Sequence, residues 1–246
     1  CWLAAKKAKK IITISEFSKN ELMKFYKLPE SRIMVNPWGL NKKLLSMDWQ
    51  AEKIQAVREK YGLKSQYLIS WGQAFARRHV KEAILAFEKI APCFGNLQYL
   101  VACADKYNPP ILEDLITRVN NKLGRKAIIY RNYIENQDEL FYLIKAASLA
   151  IYISSSEAMG LPPLEALACG VPPLVAENEL NREIYGQNAF FVRDLENIDE
   201  IAAKISDGIS DQKQRENIFA NAGQVINKFS WENNANKFIK ILKEAF

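Results

Sequence analysis

Histidine is almost missing from this sequence, with His79 alone among 246 residues, and cysteine occurs only at Cys1, Cys93, Cys103 and Cys169. No two cysteines stand in a Cys-x-x-Cys spacing. A Cys/His metal centre or a Cys–His catalytic pair would have to be built around His79 with no sequence neighbour to help. The apolar settings VACA and LACG read as buried thiols, and a reducing cytoplasm is the expected compartment. No serine sits in a Gly-x-Ser-x-Gly elbow, so the usual sign of a Ser-His-Asp hydrolase is absent. No apolar run approaches the ~18–20 residues that cross a bilayer. The opening CWLAAKKAKK also lacks the continuous apolar stretch of a secretory signal. Position 1 is Cys rather than Met, so the chain is expected to be a piece of a longer protein.

Charge is present but uneven. The net charge of +6 resolves into +7 over residues 1–43 and −1 over the remainder. Basic and aromatic residues do not interleave on a recognisable nucleic-acid module, and no nucleic acid is expected as a partner. An anionic membrane surface, an acidic partner and a plain solvated lysine face all fit the basic end.

Strand-like and helix-like segments alternate along the chain. Residues 11–14 and 32–35 read as short strands, with Ser18-x-x-Glu21 as a capping box opening a helix to about Lys27. A helix follows from about Asp48 to Tyr61. Strands are then expected at 67–71, 97–103, 127–130, 149–153, 172–176 and 189–192. Helical patterns lie between them at 78–91, 110–123, 137–147, 161–169 and 180–185, and helices at 197–209, 212–228 and 231–244 close the chain. The strands are apolar throughout, which implies burial on both faces and a parallel sheet. The expected fold is therefore α/β, a doubly wound Rossmann-like domain over residues 65–228. Residues 1–43 are too few for a core of their own.

In such a sheet, ligands sit beyond the carboxyl ends of the strands. The loop after strand 149–153 reads SSSEAMGLPPLEALACG. Gly160 permits close backbone approach, and a helix from Leu161 would offer amides and a positive dipole end to a phosphate. Glu157 and Glu165, the latter placed on the helix's first turn, suit sugar or ribose hydroxyls, which donate to carboxylates. After strand 67–71, Gly72 precedes Arg77 and Arg78 at the entry to the next helix, where paired guanidiniums invite an anion. His79 beside them reads as a phosphate contact or as a capped or solvated helix residue. Trp38, Trp49, Trp71 and Trp231 are assigned to packing rather than to base stacking.

The string EAMGLPPLEALACG from Glu157 to Gly170 resembles the EGFGLPxLEAMACG signature of retaining, nucleotide-sugar-dependent glycosyltransferases of family 4, which have the two-domain GT-B fold. The resemblance runs through most of the chain. Residues 8–39 are similar to the end of the family's acceptor-side domain, and GQAFARRHVKEAILAFEKI (72–90) to its GxxxxRKN segment. LNREIYG matches a later segment at Glu183, and FSWENNANKFIKIL (229–242) is similar to the terminal helix. This chain departs from the pattern with Ala158-Met159 for a Gly-aromatic pair, Arg78 for Lys, His79 for Asn, and Cys103-Ala104 for a glycine.

The resemblance implies a division into an acceptor-side remnant and crossing segment (1–43), a connecting helix (44–64), a nucleotide-sugar-binding domain (65–228) and a C-terminal helix packing back on the acceptor side (229–246). It implies that Glu157 contacts the donor sugar near the reacting carbon and Glu165 the ribose. Gly72, Gly160, Leu161, Arg77 and Arg78 would serve the diphosphate, and Tyr133 and Ile134 the base. The donor would be a UDP-, GDP- or ADP-linked sugar, used without metal or other cofactor. The missing acceptor-side domain would be a partner, and the protein cytoplasmic, with a peripheral place at the membrane open to it. A nucleotide-sugar-binding module without transferase activity is the alternative.

Overall fold

The computed structural model describes residues 2–245. The chain begins with α1 (Trp2–Lys7), β1 (Ile11–Thr13), α2 (Glu16–Tyr26) and β2 (Ile33–Val35), then α3 (Lys42–Leu45) and α4 (Ala51–Lys60). Next come β3 (Tyr67–Ala74), α5 (Val80–Ile90), β4 (Gln98–Asp105), α6 (Leu112–Lys122), β5 (Ile128–Arg131) and α7 (Gln137–Lys145). The second half is β6 (Leu149–Tyr152), α8 (Leu161–Ala168), β7 (Pro173–Ala176), α9 (Glu179–Tyr185) and β8 (Phe190–Val192), followed by α10 (Ile198–Ser210), α11 (Gln212–Ile226) and α12 (Trp231–Ala245).

Six strands form one parallel sheet in the order β5-β4-β3-β6-β7-β8. This is the expected doubly wound α/β fold, and its strand order reverses between β3 and β6. Successive side chains of a strand point to opposite faces, and here both faces are covered. Leu149 and Ile151 of β6 join Leu68, Tyr99, Val101 and the α5 residues Ile84 and Phe87 in one core. Tyr67, Ile69, Trp71, Leu100 and Ala150 join Phe141 and Ile144 of α7 in the other. That two-sided burial is why the strands read as unbroken apolar runs. Each fully buried Phe or Leu contributes roughly 1.5–3 kcal/mol of transfer free energy.

Three local expectations are corrected. The cap of α2 is Ser15, not Ser18; Ser15 Oγ accepts the Ser18 amide. The amides of Glu16 and Phe17 donate to the two carboxylate oxygens of Glu183 on α9, at 2.8 and 2.7 Å. A distant side chain thus fixes where the helix starts. Strand β3 runs to Ala74 rather than residue 71, because β4 accompanies it in register to Asp105. The helix after it begins at Val80, and Arg77 and Arg78 lie on a separate 3-10 turn, Ala76–Arg78.

β1 and β2 pair in parallel as a separate two-stranded sheet. They are tied to the main body at several points. Ser15 Oγ donates to the Ala158 carbonyl at 3.1 Å, and the Leu40 amide donates to the Phe229 carbonyl at 3.0 Å. Asn36 Nδ2 donates to the Asn234 carbonyl at 3.0 Å, and Asn234 Nδ2 returns a bond to the Pro37 carbonyl at 2.8 Å. Segment 15–40 therefore lies beside the loop that follows β6 and beside α12.

Candidate functional site

The two loops leaving β3 and β6 meet at the reversal of strand order. They are bound into one unit. The Arg77 carbonyl accepts the Ser155 amide at 2.8 Å and the Ser155 hydroxyl at 3.2 Å, while Arg77 Nε donates to the Ser156 carbonyl at 3.1 Å. The Arg77 guanidinium lies 4.5 Å over the Phe75 ring and its side chain is 41% exposed.

Glu157 sits in this unit with its side chain 16% exposed. Its Oε1 accepts from Arg78 Nε at 2.9 Å, Tyr152 Oη at 2.9 Å and Ser154 Oγ at 3.0 Å. Arg77 Nη2 stands 3.9 Å from the same oxygen. Burial pushes the Glu157 carboxyl up, but the Arg78 and Tyr152 bonds, the Arg78 charge and the Ser154 bond outweigh it. The group is held below the usual carboxylate range and stays ionised. Arg78 also donates from Nη1 to the Gln73 carbonyl at 2.9 Å. Gly72, within β3 opposite Cys103, lies beneath this arginine, and a Cβ there would stand 3.3 Å from Nη1.

Gly160 opens α8 in the left-handed conformation, φ 68° and ψ 68°, which costs an L-residue about 1–2 kcal/mol. Of the first four amide positions of the helix, Pro162 and Pro163 carry no N–H. The donor set at this end is reduced to Gly160 and Leu161, neither of which finds an acceptor among the described residues. Glu165 lies one turn later than expected, since α8 has no acidic residue in its first turn. It is largely buried, with Trp71 Nε1 donating to Oε2 at 3.3 Å. Burial raises its carboxyl above the usual range, and the Trp71 bond only partly offsets this.

Of the residues singled out in the sequence, Glu157, Arg77, Arg78 and Gly160 lie on the two adjoining loops, Gly72 lies in β3 beneath Arg78, Leu161 opens α8, and Glu165 lies one turn further along that helix. Ile134 packs in the same buried cluster as Trp71, while Tyr133 is 71% exposed beyond the edge strand β5. His79 has a left-handed backbone, φ 47°, at the start of α5, and its Nδ1 is 3.7 Å from Glu82 Oε2. Cys103 and Cys169 are buried thiols pushed up to about 12 by burial, Cys93 is exposed, and Cys1 lies outside the described residues. Trp49 packs edge-on against Tyr142, whereas Trp38 and Trp231 are 45% and 42% exposed. Sequence reasoning missed Tyr152, Ser154 and the hydrogen-bonding role of Trp71. A hydroxyl at the end of a wholly apolar strand, five residues before Glu157, was the available signal for Tyr152.

A cavity of about 550 Å³ lies elsewhere, along β8. Its charged groups bond one another: Glu177 joins Arg182 and Arg193, and Lys204 joins Asp207. A smaller cavity of about 180 Å³ separates Ile14, Ser15 and Pro37 from Met159, Glu183 and Phe229, next to Gly160. Among the described residues no three His, Cys, Asp or Glu side chains gather as a metal-holding group, and no helix is long and apolar enough to cross a membrane.

The profile of the family described as Glycosyl transferases group 1 matches residues 53–225. The serotype-specific mannosyltransferase WbdA of Escherichia coli is 26% identical over 237 residues, which is 95% of this chain and 28% of the relative. O-antigen chain mannosyltransferase B of the same species is 29% identical over 239 residues, 96% of this chain and 61% of the relative. The chain thus spans 28% and 61% of these two relatives. Among solved structures, a glycosyltransferase from Rickettsia africae superposes with a TM-score of 0.81 at 22% identity, over 97% of this chain and 64% of that one. Anabaena HepE, solved in complex with UDP and glucose, gives 0.78 at 18% identity, over 98% and 65%. At these identities the likeness is one of fold, and the fold is the C-terminal, Rossmann-like half of GT-B proteins.

Proposed function

The chain belongs to the glycosyl transferases group 1 family, and from that premise we propose that it holds the nucleotide-sugar donor in a retaining, family 4-type glycosyl transfer that needs no metal. The observation that carries this reading is the pairing of an ionised, braced Glu157 with two unengaged amides, Gly160 and Leu161, on the loop unit at the sheet's reversal point. In this reading the diphosphate lies against those amides and the exposed Arg77, with Arg78 adding its charge from where it braces Glu157. Glu157 receives hydroxyls of the sugar, and Glu165 receives those of the ribose. The base runs toward Tyr133 and Ile134. Negative charge that develops on the leaving diphosphate is stabilised by fixed positive groups, and an oxygen of that diphosphate accepts the proton of the incoming hydroxyl. HepE binding UDP and the mannosyltransferase relatives support a nucleotide-sugar donor.

Within the same proposal, residues 1–43 and 229–246 belong to the acceptor side, residues 44–64 connect, and residues 65–228 bind the donor. The contacts of Asn36 with Asn234 and of Leu40 with Phe229 support placing residues 229–246 with residues 1–43. The lysines of residues 1–43 would face an anionic membrane from the cytoplasm. A thermal-shift screen of UDP-, GDP- and ADP-sugars tests the proposal. Stabilisation by donors of one base is expected, and no shift with any of them contradicts it.

A further inference from the structure

Tyr152 ends β6, a strand otherwise made of Leu149, Ala150 and Ile151. Packing the sheet requires no hydroxyl at this place. The residue is buried, at 7% exposure, so its phenol must find an internal partner. That partner is Glu157 Oε1. Burial, and then the Glu157 charge, push the phenol's titration far up, so it remains a donor at neutral pH. The same ring carries the Arg78 guanidinium at 5.0 Å, and Arg78 is anchored on the Gln73 carbonyl. Three donors from three places therefore converge on one carboxylate oxygen: Tyr152 at the end of the strand, Ser154 just beyond it, and Arg78 on the neighbouring loop.

A carboxylate is planar, so fixing one oxygen by three bonds fixes where the other points. Among the described residues none donates to Glu157 Oε2. Resting on the reading that Glu157 meets the donor sugar, we propose that Tyr152 is a positioning residue which aims Glu157 Oε2 at the sugar and so sets the preference for the intact nucleotide-sugar over its nucleoside diphosphate. The preference arises because the acceptor oxygen is placed before the sugar arrives, and no ordering cost is left to binding.

Tyr152→Phe tests this, since it keeps the ring, its packing and the face on which Arg78 stacks, and removes only the hydroxyl. Affinities of the 246-residue chain are measured by calorimetry for UDP and UDP-glucose, GDP and GDP-mannose, and ADP and ADP-glucose. For whichever pair binds, the ratio of nucleotide-sugar to nucleoside diphosphate affinity is expected to fall about tenfold in Tyr152→Phe. In Glu157→Gln the ratio falls already, and adding Tyr152→Phe lowers it no further. An unchanged ratio, or equal loss for both members of a pair, overturns the inference while leaving the functional reading in place. Failure of the wild-type chain to bind any of the six overturns that reading and this inference with it.

Discussion

Glu157 and Glu165 stand eight positions apart and meet opposite surroundings. The first is braced by an arginine and two hydroxyls and held ionised; the second is buried beside an indole N–H and pushed toward its neutral form. If Glu165 holds the ribose, Glu165→Ala weakens nucleoside diphosphate binding by roughly 1.5–3 kcal/mol, the scale of hydrogen bonds to a charged group. Glu157→Ala acts chiefly on the sugar-bearing ligand. Equal affinity of wild type and Glu165→Ala for the diphosphate, by calorimetry, contradicts the ribose assignment. A pH dependence follows as well. Ribose hydroxyls donate to the carboxylate, so binding strengthens as Glu165 loses its proton. Its carboxyl is raised above the ordinary value of about 4.3, so affinity falls on acidification at a higher pH than an ordinary glutamate would give. The nucleotide's own phosphate titrates for every variant, and the difference between wild type and Glu165→Gln isolates the side chain. Superimposable pH profiles contradict it. These two glutamates and the arginine pair were legible in the sequence because their spacing is local. The role of Trp71 was not, because its partner Glu165 comes from α8, nor was that of Tyr152, because the loop that folds Glu157 back onto it is held by Arg77 and Arg78 from across the sheet.

At the scale of elements, apolar runs identified all six strands of the main sheet, since two-sided burial leaves that mark on each of them. What escaped was set by contacts across the chain. Helix α2 starts at Glu16 because Glu183, 167 residues away, takes up its first amides. Strand β3 gains three residues from its alignment with β4. The arginine pair falls on a 3-10 turn because the left-handed His79 interrupts the helix before Val80. The Glu183 contact predicts an outcome. Glu183→Ala removes two charge-assisted bonds at a helix N-terminus, a loss of about 1 kcal/mol in denaturant unfolding. Hydrogen exchange at the Glu16 and Phe17 amides rises with it. Unchanged exchange at those amides would show that Ser15 alone holds the start of α2.

At the scale of the molecule, the six-stranded sheet is buried on both faces, whereas the segments that the proposed reading gives to the acceptor side contribute a two-stranded sheet and α12. Transfer requires the acceptor hydroxyl held against the sugar carbon in a site closed to water, and such positioning supplies roughly 7–11 kcal/mol. With labelled donor, this chain is therefore expected to release sugar to water faster than it transfers sugar to an acceptor extract; transfer outpacing hydrolysis would show that residues 1–43 and α12 already form a working acceptor wall. The proposed function depends on one property, the binding of a nucleoside diphosphate or its sugar conjugate by protein charges and amides alone. Calorimetric titration of the chain, run once with a divalent-metal chelator and once without, measures it directly. Equal affinity in both titrations is the expected result, and binding that disappears with the chelator would contradict it.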